Sequence, residues 1–430
     1  MFKNIITTIG SKLLLAIMSF AIVTITSNNL GSEKYGYISL IILGITMVQM
    51  VNNFVGGPAL VYLIPRYNLF KIFIPSYLWA FISAITVTFI LHLFNLIPRQ
   101  YSIHILCLSF ISSINSINQI ILLGKERINK YNLVTTIQLA CMLLSLSLFF
   151  LFFKQKNIES FIFSLYVQFV SGAIIGYFFI RKDISKADNL KSNAVVKEIL
   201  RYGSYVQVAN IVQFMNYRLS YFIIDFYAGK AMLGIYTVGV QLAEGLWLIG
   251  NSLSLVQYSK ISNSKDPHFA KIFSIQLLKV STLATLLLII PVYVLPTSFF
   301  QFVFGSDFNQ VKEVFIYMSP GILSIAGSLM FSHYFSGLGK HYLNTIASTI
   351  GLVFTFIAGF ILIPRIGLYG AAITASISYF TMVVFQLILF LKLSKTKMSE
   401  LLINKDDIAL ASKKIKEIYI AIRNKRFQNQ

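Results

Sequence analysis

The side chains best placed to do chemistry are a few polar and charged residues set in long apolar runs. Arg218 and Glu244 are the plainest cases. An ionisable group at bilayer depth is costly and by default marks a site or a pathway. At about 100° per residue, Gln207, Asn210, Tyr217, Arg218, Tyr221 and Asp225 fall within one stripe about 100° wide. In the next apolar segment Thr237, Gln241, Glu244 and Asn251 share a face. Two adjacent polar stripes imply a wet cavity rather than lipid contact. A guanidinium there can grip a phosphate through two parallel hydrogen bonds. It can equally pair with Glu244 and lock two helices, and a working cycle can trade one pairing for the other. Asp225 reads first as an interfacial cap. Lys12, about two turns into the first apolar run, either snorkels to the membrane surface or faces the cavity.

Enzyme chemistry finds little support. There is no Gly-x-x-x-x-Gly-Lys-Ser/Thr phosphate cradle, no Gly-x-Ser-x-Gly and no His-Glu-x-x-His. The five histidines, His92, His104, His268, His333 and His341, lack ligand spacing. Cys107 and Cys141 lie in apolar runs and read as small buried hydrophobes. The expectation is a non-enzyme with no catalytic residues, no metal and no resident cofactor.

The elements that carry these residues follow from composition. Hydrophobic residues make up 56% of the chain and charged ones 12%, about half the charge of a soluble domain. Spanning a bilayer takes about 20 apolar residues, and segments of that length recur. They predict an all-α polytopic membrane protein of about twelve spans: Ile5–Ser27, Tyr37–Val55, Phe73–Leu93, Ile103–Leu123, Leu133–Phe153, Phe161–Ile180, Tyr202–Ile224, Leu233–Val256, Leu277–Leu295, Phe315–Ser336, Leu343–Ile363 and Gly370–Leu391. The first is too long for the core of a cleaved signal. Gly56-Gly57-Pro58 ends or hinges the second.

The formal charge of +21 raises the question of nucleic acid, and its distribution answers it. With the N-terminus inside, 28 of the 36 basic residues lie in inside segments and seven in outside loops. That bias is a topology signal: N-in, C-in, with no nucleic-acid partner.

The chain also looks duplicated. Residues 29–36 resemble 228–236, and Leu122-Leu-Gly-Lys125 resembles Gly337-Leu-Gly-Lys340, both at offsets near 200. Six helices per repeat give two pseudo-symmetric lobes of like orientation around a central cavity. The expected domains are a six-helix lobe over 1–185, a basic inter-lobe linker over 186–201, a second lobe over 202–391 and a basic tail over 392–430. In the tail Ile408, Ala411, Ile415, Ile418 and Ile422 recur at helical spacing among lysines. That suits an interfacial helix on an anionic leaflet or a solvated tail.

At these residues the sequence resembles the bacterial polysaccharide and O-antigen flippases of the multidrug/oligosaccharidyl-lipid/polysaccharide exporter superfamily. The resemblance is carried by Leu30-Gly31 with Tyr35-Gly36, and by Arg218 to Asp225 followed by Gly229, Leu233-Gly-Ile-Tyr236 and Glu244-x-x-Trp247. It extends to Gly337-Leu-Gly-Lys340, Ile363-Pro-Arg-Ile-Gly367 with Gly370-Ala-Ala372, and Ile120-Ile-Leu-Leu-Gly-Lys125. It implies alternating access around a cationic cavity lined by helices one, two, seven and eight. It also implies a cargo, undecaprenyl-pyrophosphate bearing an oligosaccharide of O-antigen, capsule or exopolysaccharide, passed from the cytoplasmic to the periplasmic leaflet of a bacterial inner membrane. Arg218 would then contact the pyrophosphate or an acidic sugar. Glu244 would be its counter-charge or take up H+ or Na+. Membrane lipids, and a polymerase and a chain-length regulator, are the expected partners. The two extra helices usual in the related lipid II flippases are missing. Competing readings are a drug or small-molecule exporter on the same fold and, more remotely, a membrane polysaccharide polymerase.

Overall fold

The computed structural model describes residues 2–184, 192–264 and 266–402, with side chains omitted for 2–9, 58, 59, 62 and 192–206. The amphipathic tail expected beyond Leu402 lies outside the described residues, as does 185–191, where the expected linker begins. Among the described residues every regular element is helical.

Among the described residues nine helical elements are long and apolar enough to cross a membrane. Three of them are too long to be one span. Phe2–Gly56 has 55 residues, Ser192–Ser262 has 71 and Tyr342–Ser394 has 53; a straight helix of 55 residues would be about 80 Å long, against a hydrocarbon core of about 30 Å. Each folds back on itself. The first turns at Gly31 (φ 77°, ψ 173°) and the second at Gly229 (φ 83°, ψ 176°). A positive φ with extended ψ is a conformation essentially reserved for glycine. The third turns at Ile366-Gly367. Contacts across each turn establish the hairpins: Ile22 shares one core cluster with Ile41 and Ile45, Arg218 reaches Glu244, and Ser378 Oγ donates to the Gly351 carbonyl at 2.9 Å.

Twelve spans result among the described residues: 2–30, 32–56, Leu69–Leu93, Ser102–Gly124, Ile128–Ser147, Ile158–Ile180, 192–228, 230–262, Pro267–Val294, Val311–Gly337, 342–365 and 368–394. They match the expected spans in number and order, but helix fills much of what the sequence reads as loop. The seventh already runs helical from Ser192, inside the expected linker. Gly57 is extended (φ −100°, ψ −151°) and caps a short helix, Pro58–Leu63, so the second span ends at Gly56.

The chain forms two lobes. Two core clusters are built wholly from residues before 185, one around Ile41, Ile105 and Phe150 and one around Leu60, Ile121 and Ile180. A third, around Phe335 and Phe390, is built wholly from residues after 260. The largest belongs to the second lobe but takes in Tyr35, Leu40 and Leu43 from the second span, and so joins the halves. Large apolar residues such as Phe89, Leu144, Ile174, Phe356 and Phe380 are exposed on the flanks, where lipid rather than water is their natural solvent.

The duplication is visible in backbone detail. Gly31 and Gly229 are equivalent, as their dihedrals show. The turn after span four has Lys125, Glu126 and Arg127 amides donating to Ile121, Leu123 and Leu122 carbonyls; after span ten, Leu338, Gly339 and Lys340 repeat the pattern onto Tyr334, Ser336 and Phe335. The equivalent of Gly124 is therefore Gly337, two residues from the match the motifs suggest. Both pack on an isoleucine of the preceding hairpin's end, Ile64 and Ile261.

Candidate functional site

The seventh and eighth spans carry most of the candidate residues, and their hairpin sets the geometry. Arg218 lies about three turns before Gly229 and Glu244 about four turns after it, so the fold-back brings them level. Arg218 Nη2 donates to Glu244 Oε1 at 2.6 Å and Nη1 to the Tyr221 hydroxyl at 2.7 Å. The guanidinium also stands 5.0 Å from the Tyr221 ring centre. Behind it Tyr217, Trp247 and Tyr379 form a triangle of rings 5.4 to 6.0 Å apart. Tyr221 packs edge-on to Tyr236 at 5.6 Å. The aromatic wall holds the arginine against its partner.

The two members of the pair face different ways. A cavity of about 590 Å³ lies between the first and eighth spans, lined by Lys12, Ser19, Phe20, Gln241, Glu244 and Asn251 among others. Glu244 lines it and Arg218 does not. Lys12 is exposed there and brings a cationic head to the side opposite Glu244's helix. Gln241 accepts a hydrogen bond from the Tyr35 hydroxyl at 2.7 Å across the lobe boundary, and also lines a smaller cavity in the first lobe with Gln49 and Gln168.

The remaining candidates separate. Gln207 is buried and donates to the Met50 carbonyl at 2.8 Å, a brace between lobes, while Asn210 donates to Gln207 Oε1 at 3.2 Å. Asn210 and Tyr217 line a different cavity, within the second lobe. Asp225 pairs with Lys230 across the Gly229 turn, at the tip of the hairpin and away from the cavities. The stripe read from the sequence thus serves four neighbours: a lobe brace, a second cavity, an ion pair and a hairpin cap.

The hairpin tips are where the lobes close. A Cβ on Gly36 would fall 2.0 Å from the Lys230 carbonyl oxygen, and one on Gly234 would fall 2.0 Å from that of Ser32. Spans two and eight therefore cross in backbone contact. Over this crossing lies a short helix, Thr297–Phe304, with the turn Ser306–Phe308. Asp307 accepts from the Ser32 amide at 3.2 Å, Asn28 donates to the Val303 carbonyl, and Phe20 meets Phe304 edge-on at 6.0 Å. Toward the other end, Lys12, Leu13 and Ile17 on the first span and Leu248, Asn251 and Leu255 on the eighth are exposed. The cavity thus lies beneath the joined tips, and its lining toward the N-terminal end, Lys12, Asn251 and Leu255 among it, is exposed. Sequence reasoning missed Asp307, Trp247 and Tyr379. Only Trp247 stood in a quoted motif, and only as a family mark.

Comparison with known proteins adds the lineage. The family model described as polysaccharide biosynthesis protein matches residues 1–246. The chain belongs to this family. It is 26% identical over 246 residues to the capsular polysaccharide biosynthesis protein CapF of Staphylococcus aureus, covering 55% of this chain and 62% of CapF. It is 24% identical over 222 residues to the uncharacterized membrane protein MJ1068 of Methanocaldococcus jannaschii, covering 50% of this chain and 44% of that one. The chain thus spans less than two thirds of either relative. In fold it is similar to the lipid II flippase MurJ in an inward closed conformation, with a TM-score of 0.70 at 16% identity over 93% of this chain and 89% of MurJ. It is also similar to an inward-facing multidrug resistance MATE family transporter of the MOP superfamily, with a TM-score of 0.69 at 13% identity over 89% and 94% of the two chains.

Proposed function

We propose that this member of the polysaccharide biosynthesis family is a flippase for an oligosaccharide linked to undecaprenyl pyrophosphate. The observation that carries the reading is the cavity between spans one and eight. It lies beneath the joined hairpin tips, has an exposed lining toward the N-terminal end, and holds Lys12 against a wall that is otherwise largely apolar. A polar head carrying phosphate fits beside Lys12, while a lipid tail stays in the bilayer next to exposed Leu13, Ile17 and Leu255. Placing the basic segments inside makes the exposed end cytoplasmic, and the transport direction outward across the bacterial inner membrane. Movement follows by closing the exposed end and parting the tips. Glu244 is the group positioned to take up H+ or Na+ when its pair with Arg218 opens. A polymerase and a chain-length regulator are the expected downstream partners, and no catalytic step is assigned to the chain.

The test is mass spectrometry of lipid-linked oligosaccharides in a deletion strain, with a blot for surface polysaccharide. Complete units accumulating on the lipid while surface polymer is lost place the block after synthesis, as the reading requires. Normal pools of both overturn it. One observation favours a second reading: the cavity presents the carboxylate of Glu244 and the ring of Phe20 rather than Arg218, an arrangement suited to an organic cation. Drug hypersensitivity of the deletion strain with intact surface sugar would select that exporter reading.

A further inference from the structure

A smaller cavity of about 300 Å³ lies inside the first lobe, between spans one, two, five and six, with Gln241 of span eight on one wall. Ser19, Val23 and Gln241 line both this cavity and the one between the lobes, so the two adjoin at those side chains. No Asp, Glu, Lys, Arg or His lines the smaller one. Its polar groups are amides and hydroxyls: Thr46 and Gln49 one turn apart on span two, Gln168 on span six, Ser19 and Gln241. Among the described residues neither the Gln49 nor the Gln168 carboxamide has a hydrogen-bond partner, and both side chains are half-buried rather than sealed from the cavity. Thr46 Oγ1 donates to the Ile42 carbonyl at 2.7 Å and keeps its lone pairs. Gln241 Oε1 is occupied by the Tyr35 hydroxyl, which leaves Nε2 as a donor. Unpartnered carboxamides are costly at membrane depth, and two that converge from different helices point to a ligand rich in hydroxyls. An uncharged lining selects neither an anion nor a cation. Phe169, half-buried beside Gln168, adds a ring for the apolar C–H face of a sugar.

Position ties this cavity to its neighbour. Ser19 follows Lys12 by two turns, about 10 Å along one face of the same helix. A pyrophosphate held at Lys12 places the sugar bonded to it beside Ser19, at the junction of the cavities. The two halves also differ in kind. At the offset that relates Gly31 to Gly229, Thr46 and Gln49 correspond to Glu244 and Trp247. The first lobe thus presents neutral hydrogen-bonding groups where the second presents a carboxylate. We propose that the first-lobe cavity reads the sugar attached directly to the pyrophosphate, with Gln49 and Gln168 as its specificity residues. The proposal rests on the flippase reading above and separates recognition of sugar from recognition of phosphate.

The test uses the full chain in lipid nanodiscs and native mass spectrometry with two probes in competition. One is undecaprenyl pyrophosphate; the other is the same lipid bearing only the first sugar of its oligosaccharide. The wild type is expected to prefer the glycosylated lipid about tenfold, the net worth of two hydrogen bonds. Gln49→Leu and Gln168→Leu each remove an unpartnered amide at nearly constant volume and orphan no other group, so both should fold. Each should cut the preference about threefold, and the double variant should bring it close to one. Thr46→Phe, which fills the cavity from span two, should abolish the preference by another route. A preference retained in either the double or the filled variant overturns the subsite and leaves the flippase reading standing. Equal binding of the two probes by the wild type does the same. A wild type that binds neither probe overturns the flippase reading, and this inference with it.

Discussion

Gly36 and Gly234 hold equivalent positions in the two lobes, and each abuts the backbone of the other's helix. They are 198 residues apart, the same offset as the hairpin glycines Gly31 and Gly229. The contact is reciprocal because the lobes are related by a pseudo-two-fold axis, so one steric requirement is met twice. A methyl group at either position would overlap a carbonyl oxygen, and backbone cannot move aside as a side-chain end can. Gly36→Ala should therefore part the tips. In a chain whose native cysteines are replaced, a cysteine at Ser39, buried beneath the crossing, should react several-fold faster with an impermeant maleimide when Gly36→Ala is added. Unchanged labelling would show that the crossing is not the seal.

Asp307 secures the same seal from the second lobe. Its carboxylate meets the Ser32 amide at the start of the second span, where unpaired N–H groups and the helix dipole favour negative charge. Asp307→Ala should cost about 0.5–2 kcal/mol of the closed arrangement and raise labelling at Ser39→Cys, as the glycine variant does. Asp307→Asn keeps an acceptor without the charge and should fall between. Equal labelling in all three would remove Asp307 from the closure.

The ion pair tests substrate contact against structure. Both side chains are about a quarter exposed, 23% for Arg218 and 30% for Glu244. Its coupling should therefore lie between the small value of a surface pair and the several kcal/mol of a buried one, about 1–3 kcal/mol in a double-mutant cycle on thermal stability in detergent. The exchange Arg218→Glu with Glu244→Arg should restore much of the stability lost by either single change. If export returns with it, the pair is a lock and nothing more. If stability returns without export, one of the two charges meets the cargo or the coupling ion where it now stands.

Much of this architecture was legible in the sequence, for a physical reason. Span number and order follow from the length of apolar runs, because the bilayer imposes that length on each helix. The breaks at Gly31 and Gly229 fall in the motif that the two halves share. Side-chain direction was harder to read. Gln207, Arg218 and Asp225 fit one helical stripe, yet the structure commits them to Met50, Glu244 and Lys230, because a helix surrounded by others has several neighbours. Asp307 left no periodic signal. It acts from a turn, and its partner is an amide of the other lobe 275 residues away. The first-lobe cavity was likewise hidden, since Ser19, Gln49 and Gln168 come from three different spans, and no spacing within one helix joins them.

Tyr35 offers the most delicate test of how the lobes communicate. Its hydroxyl donates to Gln241, one turn from Glu244, and its ring meets Phe308 edge-on at 5.9 Å. Tyr35→Phe keeps the ring and removes only the bond between lobes. Gln241 lines two cavities and can take a water instead, so the loss in stability should be small, about 0.5–1.5 kcal/mol. Tyr35→Ala also removes a buried ring and should cost about 3–5 kcal/mol. The informative comparison is labelling against melting temperature. The hydrogen bond is present with the tips closed and must break as the lobes part, so Tyr35→Phe should shift the resting population toward the parted state. That shift should appear as faster maleimide labelling at Ser39→Cys with little change in melting temperature. Faster labelling matched by a fall in melting temperature, as expected for simple loosening of the fold, would deny Tyr35 and Gln241 a part in setting which end is open.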